Sequence, residues 1–326
     1  MNLFYILISL LVVFQFGCQR ESDESAGVRN GYSFTVELDA AALENIIRER
    51  EPEDTADDEI KAKVADTLEH AADVAVNVIH KRMNALGIKK PVVTNIGERR
   101  IQIRISNVTP EQRDSAERLI KSAALLEFRF VSTQSAMGLF DAGVAPAGYK
   151  IVKIEGNSYY APINRVDPLP APVELYNTGK PPAGCVFMLQ RHRIPGYNGE
   201  GYSPIYVSRR PLLTGTNIAK AGVETDQLGQ PQVSIEFDSE GRREFADITA
   251  RYSGNGPRNT TGESRQLAIV LDGVVYSAPW LMAHITDGSA WISGNFTQEE
   301  VRELAIAINS GAMPVPLKII ECEQFP

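Results

Sequence analysis

Residues 79–131 read IHKRMNALGIKKPVVTNIGERRIQIRISNVTPEQRDSAERLIKSAALLEFRFV. Nearly every element boundary is spelled out in this stretch. Leading into it, Val64, Leu68, Ala71, Ala75, Val78 and Arg82 fall on one helical face, with Ile60 and Ile79 beside it. The pattern predicts a helix from about residue 57 to about residue 86, about 45 Å long. Gly87 can take the left-handed conformation that stops it, and Pro91 forbids its resumption. Residues 92–96 form a strand-like run. Gly97-Glu98 marks a turn, and Ile101, Ile103 and Ile105 then alternate with Gln102 and Arg104 as a half-buried strand. Thr109, Pro110 and Gln112 give the next helix its cap, its first residue and a capping box. Residues 125–131 read as the strand that closes the unit.

Working outward, SFTVEL at 33–38 alternates and is β-branched, so it reads as a first strand. The order up to Val131 is then β-α-β-β-α-β, the ferredoxin-like pattern. The far half repeats it. Residues 232–237 read as a strand, and Asp238 or Ser239 caps a helix to about Tyr252. Residues 266–271 and 274–277 form a hairpin across Asp272-Gly273. A strand at 289–293 follows. Thr297 and Glu300 form a second capping box, Gly311 ends that helix, and residues 314–320 close as a strand whose prolines suit an edge or an irregular start. Each half ends in a capped helix, a small-residue break (SAA or SGA) and a strand. The fold class expected is α+β: two ferredoxin-like β-α-β-β-α-β units with a loop-rich β insertion between them. The boundaries read as a signal peptide at 1–18, a linker at 19–31, a base at 32–131, an insertion at 132–210, and a head at 211–326 whose last strand returns to the base.

Two pieces resemble the first periplasmic domain of the SecD family of protein translocase subunits. KRMNALGIKKPVVTNIGERRIQIRI, its helix and AALLEFRFV match one end. LAIVLDGVVYSAPWLMAHITDGSAWISGNFTQEEVRELAIAINSGAMPVPLKIIE matches the other. They stand in the family's order and bracket a variable middle.

The composition is that of a soluble protein: 326 residues, 43% apolar, 23% charged, formal charge −8. Such a balance leaves no electrostatic footprint for nucleic acid. Much of the excess acid lies in EPEDTADDE at 51–59, a solvated loop entering a helix. The basic pairs Arg191/Arg193 and Arg209/Arg210 read as solvated face rather than a binding patch. Residues 3–16 are apolar apart from Ser9 and Gln15. As a helix they span about 21 Å, short of the roughly 30 Å of a bilayer core, so a secretory signal fits better than a span. Gly17-Cys18 then resembles a bacterial lipoprotein signal, although Gln15 stands where that signal has Leu. Lipidation at Cys18 is predicted, with a short uncleaved anchor as the alternative. Cys185 and Cys322 would remain after export; an oxidising compartment permits a bridge between them, and two buried thiols is the other reading.

Enzyme signatures are absent. The chain has no phosphate-binding glycine loop and no zinc spacing, and no cofactor is expected. His70 and His80 are ten apart on the predicted helix and cannot chelate together; His192 and His284 are isolated. Asp238, Asp272 and Asp287 sit at strand ends near glycines, which is turn and cap chemistry. Tyr159, Tyr160, Tyr176, Tyr197, Tyr202 and Tyr206 are scattered through the middle. They read first as cover for a thin core, and second as an aromatic surface for extended polypeptide.

The resemblance implies a base, a mobile head that contacts unfolded preprotein, and proton-coupling residues in transmembrane helices that follow this domain. No position in these 326 residues corresponds to them. Of the family's Asp-Leu-x-Gly-Gly motif before the first strand, only Gly31 is kept. The expectation is a non-enzymatic binder of unfolded or extended polypeptide without proton-driven motor activity. It sits on the periplasmic side of a bacterial membrane, tethered by an N-terminal lipid or signal anchor, with SecF or other translocase components as partners. The alternative is an envelope lipoprotein that reuses the fold for protein–protein contact.

Overall fold

The computed structural model describes residues 31–325 except 53, 98, 144, 147, 164–180, 194–199 and 295. Cys18, the signal segment, Tyr176 and Tyr197 lie outside the described residues. Among the described residues, three sheets carry the strands.

The first sheet is built from the stretch read above. Gly31–Leu38 (β1) pairs antiparallel with Arg100–Ser106 (β3), which pairs with Val92–Gly97 (β2). Phe34 and Val36 stand opposite Ile103 and Ile101, and all four are fully buried. Helices cover this face. Pro110–Lys121 (α4) begins with the predicted capping box between Thr109 and Gln112. The long helix is corrected. It is two helices, Asp57–Glu69 (α2) and Ala71–Ala85 (α3), broken at His70, whose ψ of 3° leaves the helical region. An unforeseen helix, Ala40–Arg50 (α1), is capped by Asp39. The break lets α2 lie on α1 while α3 packs on β2 and β3. Gly87, at φ +86°, ends the pair in the left-handed region.

A second correction concerns the strand expected to close the base. Leu126–Phe130 (β4) leaves this sheet, and the place beside β1 is taken by Leu317–Phe325 (β15) from the far end of the chain. Ala124, at φ +53°, turns the chain away after α4. Four of the five β4 residues are buried, on both faces, which suits an inner strand of a larger sheet and not an edge.

That larger sheet has eight strands. Beside β4 lie Leu213–Thr214 (β9) at one edge and Leu267–Leu271 (β12) on the other side, followed by Val274–Ser277 (β13) across the Asp272-Gly273 turn. From β13 the sheet continues through Cys185–Arg193 (β7), Glu200–Ser208 (β8), Asn157–Pro162 (β6) and Tyr149–Ile154 (β5). The β13–β7 pairing is parallel.

A three-stranded sheet of Ile218–Thr225 (β10), Pro231–Phe237 (β11) and Ser289–Ile292 (β14) completes the set. The second expected β-α-β-β-α-β unit is therefore divided. Its first strand lies in the three-stranded sheet and its hairpin in the eight-stranded one. The helices Ser239–Tyr252 (α6) and Gln298–Ser310 (α7) form as read, Asp238 and Thr297 being their caps. α7 serves two cores at once. Val301, Leu304 and Ala305 join the core of Phe128, Phe237 and Phe245, while Ile306 and Ala307 join the core of the first sheet.

A candidate binding groove at the start of α7

The tyrosines of the middle segment settle first. Tyr160 is fully buried, and Tyr202 and Tyr206 are buried with it in an aromatic core around Phe187 and the short helix Gly138–Asp141 (α5). They cover a thin core, and Tyr159 packs edge-on against His192. The exposed aromatic surface is not made by these residues.

A shallow open groove lies instead between β7, β13 and the turn before α7, lined by Arg191, Arg193, Tyr276, Gly294 and Phe296. Each member has a local cause. Arg191 and Arg193 are two apart on β7, so they share a face. Phe296 stands just before the Thr297 cap and shares a core with Val301, the arrangement of a hydrophobic staple. This holds the Phe296 ring stacked on Tyr276, with centroids 5.6 Å apart and planes 11° from parallel. The Arg191 guanidinium lies 5.3 Å over the Tyr276 ring.

The charges around the groove are tied down. Arg191 donates to Glu200 at 2.6 Å and to Glu300 at 2.5 Å. Arg193 reaches the other oxygen of Glu300 at 3.4 Å. Tyr202 donates to Glu200 at 2.5 Å. Burial works against the Arg191 cation, yet Glu200, Tyr276 and Glu300 hold its pKa above the ordinary value. Burial also pushes up on the Glu300 carboxyl, but the Thr297 N–H, Arg191 and the Thr297 hydroxyl outweigh it and hold it below the usual range. Burial raises the Tyr276 hydroxyl to about 12, so it stays neutral. The groove thus has a fixed, mostly buried floor of two rings and a guanidinium plane, with the exposed Arg193 at its rim. Those surfaces suit other planar groups, the peptide bond and aromatic side chains among them.

The solvated-face reading of Arg191 is corrected: its side chain is 11% exposed. Arg209 also has a structural partner, the backbone carbonyl of Glu49. The missed signal was the direct continuation of the apolar run CVFML into QRHR, which puts both arginines on a core strand. The aspartates act in turns and caps: Asp238 accepts from Gly241 N–H, and Asp287 from Ser289 N–H. Cys185 is a free thiol, so it is not bridged to Cys322. Among the described residues no helix is long and apolar enough to cross a membrane.

Two family models match. Residues 72–133 match the N-terminal part of the P1 domain of protein translocase subunit SecDF, and residues 191–315 match the SecDF P1 head subdomain. This chain belongs to the SecD family. The SecD of Desulfurispirillum indicum is 34% identical over 264 residues, covering 79% of this chain and 41% of that protein. The SecD of Syntrophobacter fumaroxidans is 31% identical, covering 88% and 45%. The SecDF of Thermus thermophilus is 32% identical, covering 81% and 28%. The chain thus spans less than half the length of these relatives.

Solved structures agree. SecDF in its super-membrane-facing form has a TM-score of 0.53 at 27% identity, covering 91% of this chain and 30% of that one. A structure titled for a membrane component SecDF that enhances protein export has a TM-score of 0.50 at 28% identity, covering 89% and 98%. All the groove residues of this SecD-family chain fall inside the segment that matches the P1 head.

Proposed function

We propose that this SecD-family domain binds extended or unfolded polypeptide on the periplasmic side of a bacterial membrane, and that the groove at the start of α7 makes the contact. The observation that carries the reading is a groove within the head-like segment, floored by the Tyr276–Phe296 stack and Arg191 and edged by the exposed Arg193. Large apolar side chains elsewhere support it: Trp280 and Met282 are 57% and 68% exposed on either side of buried Leu281. The role is binding rather than catalysis. An N-terminal lipid at Cys18 or a signal anchor holds the domain at the membrane, and SecF or other translocase components are its partners.

The test is the fluorescence anisotropy of a labelled, permanently unfolded, reduced and alkylated protein titrated with this one. Binding is expected at micromolar to high micromolar concentration. Tyr276→Ala should weaken it about tenfold, the loss of about 1.4 kcal/mol, and the exposed Arg193→Ala should weaken it less. No binding by the wild type at high micromolar concentration overturns the reading. Equal binding by wild type and both variants moves the contact away from the groove.

A further inference from the structure

The chain passes twice between the first-sheet core and the core of Phe128 and Phe237: outward at residues 122–125 after α4, and back at residues 311–316 after α7. The two crossings touch, Met313 N–H donating to Ala123 C=O at 2.7 Å. Arg82 lies against both. It comes from α3 and is fully buried. Its Nη1 donates to Leu119 C=O at 2.6 Å and Ser122 C=O at 2.5 Å, the carbonyl end of α4. Its Nη2 donates to Gly311 C=O at 3.1 Å, the carbonyl end of α7. One guanidinium therefore caps two helices, each carrying partial negative charge at that end.

A second grip comes from the other side. Asp272, at the tip of the β12–β13 hairpin, accepts from the Ser122 hydroxyl and from Leu125 N–H, both at 2.9 Å. Its own N–H donates to Leu125 C=O. Burial lowers Arg82 to about 10, with the Asp272 charge opposing, so the side chain stays cationic at neutral pH.

We propose that Arg82 and Asp272 form a latch that sets the orientation of the two cores, Arg82 gripping both crossings from the base and Asp272 gripping the outgoing one from the far sheet. The physical reason is cost. If either crossing swings, a fully buried cation loses carbonyls that nothing else replaces, and an unpaired buried charge is expensive. The junction therefore favours discrete arrangements over a continuous bend. Asp272 is the exposed partner and the one that can let go first. Arg82 is a positioning residue here, and the inference stands whether or not the groove binds polypeptide.

The test is a distance distribution by pulsed electron spin resonance. Labels are placed through a non-cysteine amino acid at Lys61 on α2 and at Leu228, which is 84% exposed at the β10–β11 tip. The full chain is used. Asp272→Gly removes the carboxylate but keeps the turn, since residue 272 has φ +49° and glycine adopts that freely. Ser122→Ala removes the other half of that contact. Arg82→Lys keeps the charge, but one ammonium cannot span three carbonyls on two crossings. The wild type should give one narrow distribution. Asp272→Gly and Ser122→Ala should broaden it or add a second distance, and Arg82→Lys should do so more. Thermal melts show which variants are folded. If Arg82→Lys does not fold, the two exposed-side variants decide. A wild-type distribution in every folded variant overturns the latch.

Discussion

Glu49 shows how a polar residue can sit at odds with its surroundings. It lies at the end of α1, 3.6 Å from Arg129, which is itself paired with Glu127 at 2.8 Å; the Arg129 and Glu127 side chains are 1% and 6% exposed. Burial pushes the Glu49 carboxyl up; Arg129, Arg50 and Arg209 pull it down and Glu127 pushes it up again, leaving it above its ordinary value. The native state therefore binds this proton more tightly than the unfolded chain. Its contribution is fully present below the unfolded pKa of about 4.3 and is lost as pH rises through the raised native value. At pH 7 the charged form costs stability. Glu49→Gln should therefore raise the urea midpoint at pH 7, with the gain shrinking to nothing near pH 4. A lower midpoint at pH 7 would mean that the pairing with Arg129 outweighs the burial. None of this was legible in LEFRF, where alternation assigns Glu127 and Arg129 to solvent. Pairing makes their burial tolerable, and the partners are Glu49 and Arg50, far away in sequence.

At the scale of elements, the caps of α4, α6 and α7 and the tight turns were legible because their signals are local, whereas α1 with its Asp39 cap was missed. Thr109, Asp238, Thr297 and Asp272-Gly273 act where they were read. The break at His70 was not, because Val64, Leu68, Ala71 and Ala75 stay in helical phase across it and neither Gly nor Pro marks it. Packing of α2 on α1 decides it. α7 is the element whose cap has a second task. Thr297 Oγ1 accepts from Glu300 N–H, and Glu300 returns a carboxylate oxygen to Thr297 N–H while its other oxygen holds Arg191. Thr297→Ala should cost about 1 kcal/mol of stability, as lost caps do. It should also weaken polypeptide binding, because the side chain that anchors Arg191 over Tyr276 loses its own anchor. A melt and an anisotropy titration on the same sample separate the two effects. Full stability loss with unchanged affinity would detach the cap from the groove.

The whole molecule is where sequence reading fell short, and the reason is distance along the chain. A strand can be recognised from its own residues, but its neighbour cannot when the pairing is long-range. The groove shared the difficulty, since Arg191, Tyr276 and Phe296 come from three separated segments. β15 returns to the base as read, but it takes the place beside β1 that the ferredoxin-like expectation gave to β4. β1 is sandwiched between β3 and β15, with Thr35 donating to Glu321 across 286 residues. The first sheet therefore needs a strand 286 residues away in sequence, and such non-local closures form slowly. Removing residues 317–326 leaves β1 as an unguarded edge bearing unpaired N–H and C=O groups, and strips Leu317 and Ile319 from its core. The shortened chain should lose its cooperative thermal transition in the base and associate through the bared strand. Near-ultraviolet circular dichroism and size-exclusion chromatography would read this. If the truncated chain stayed monomeric with an unchanged melt, β15 would be an accessory to the base. In that case the α3–α4 layer, with Arg82 at its junction, would be what holds the first sheet together.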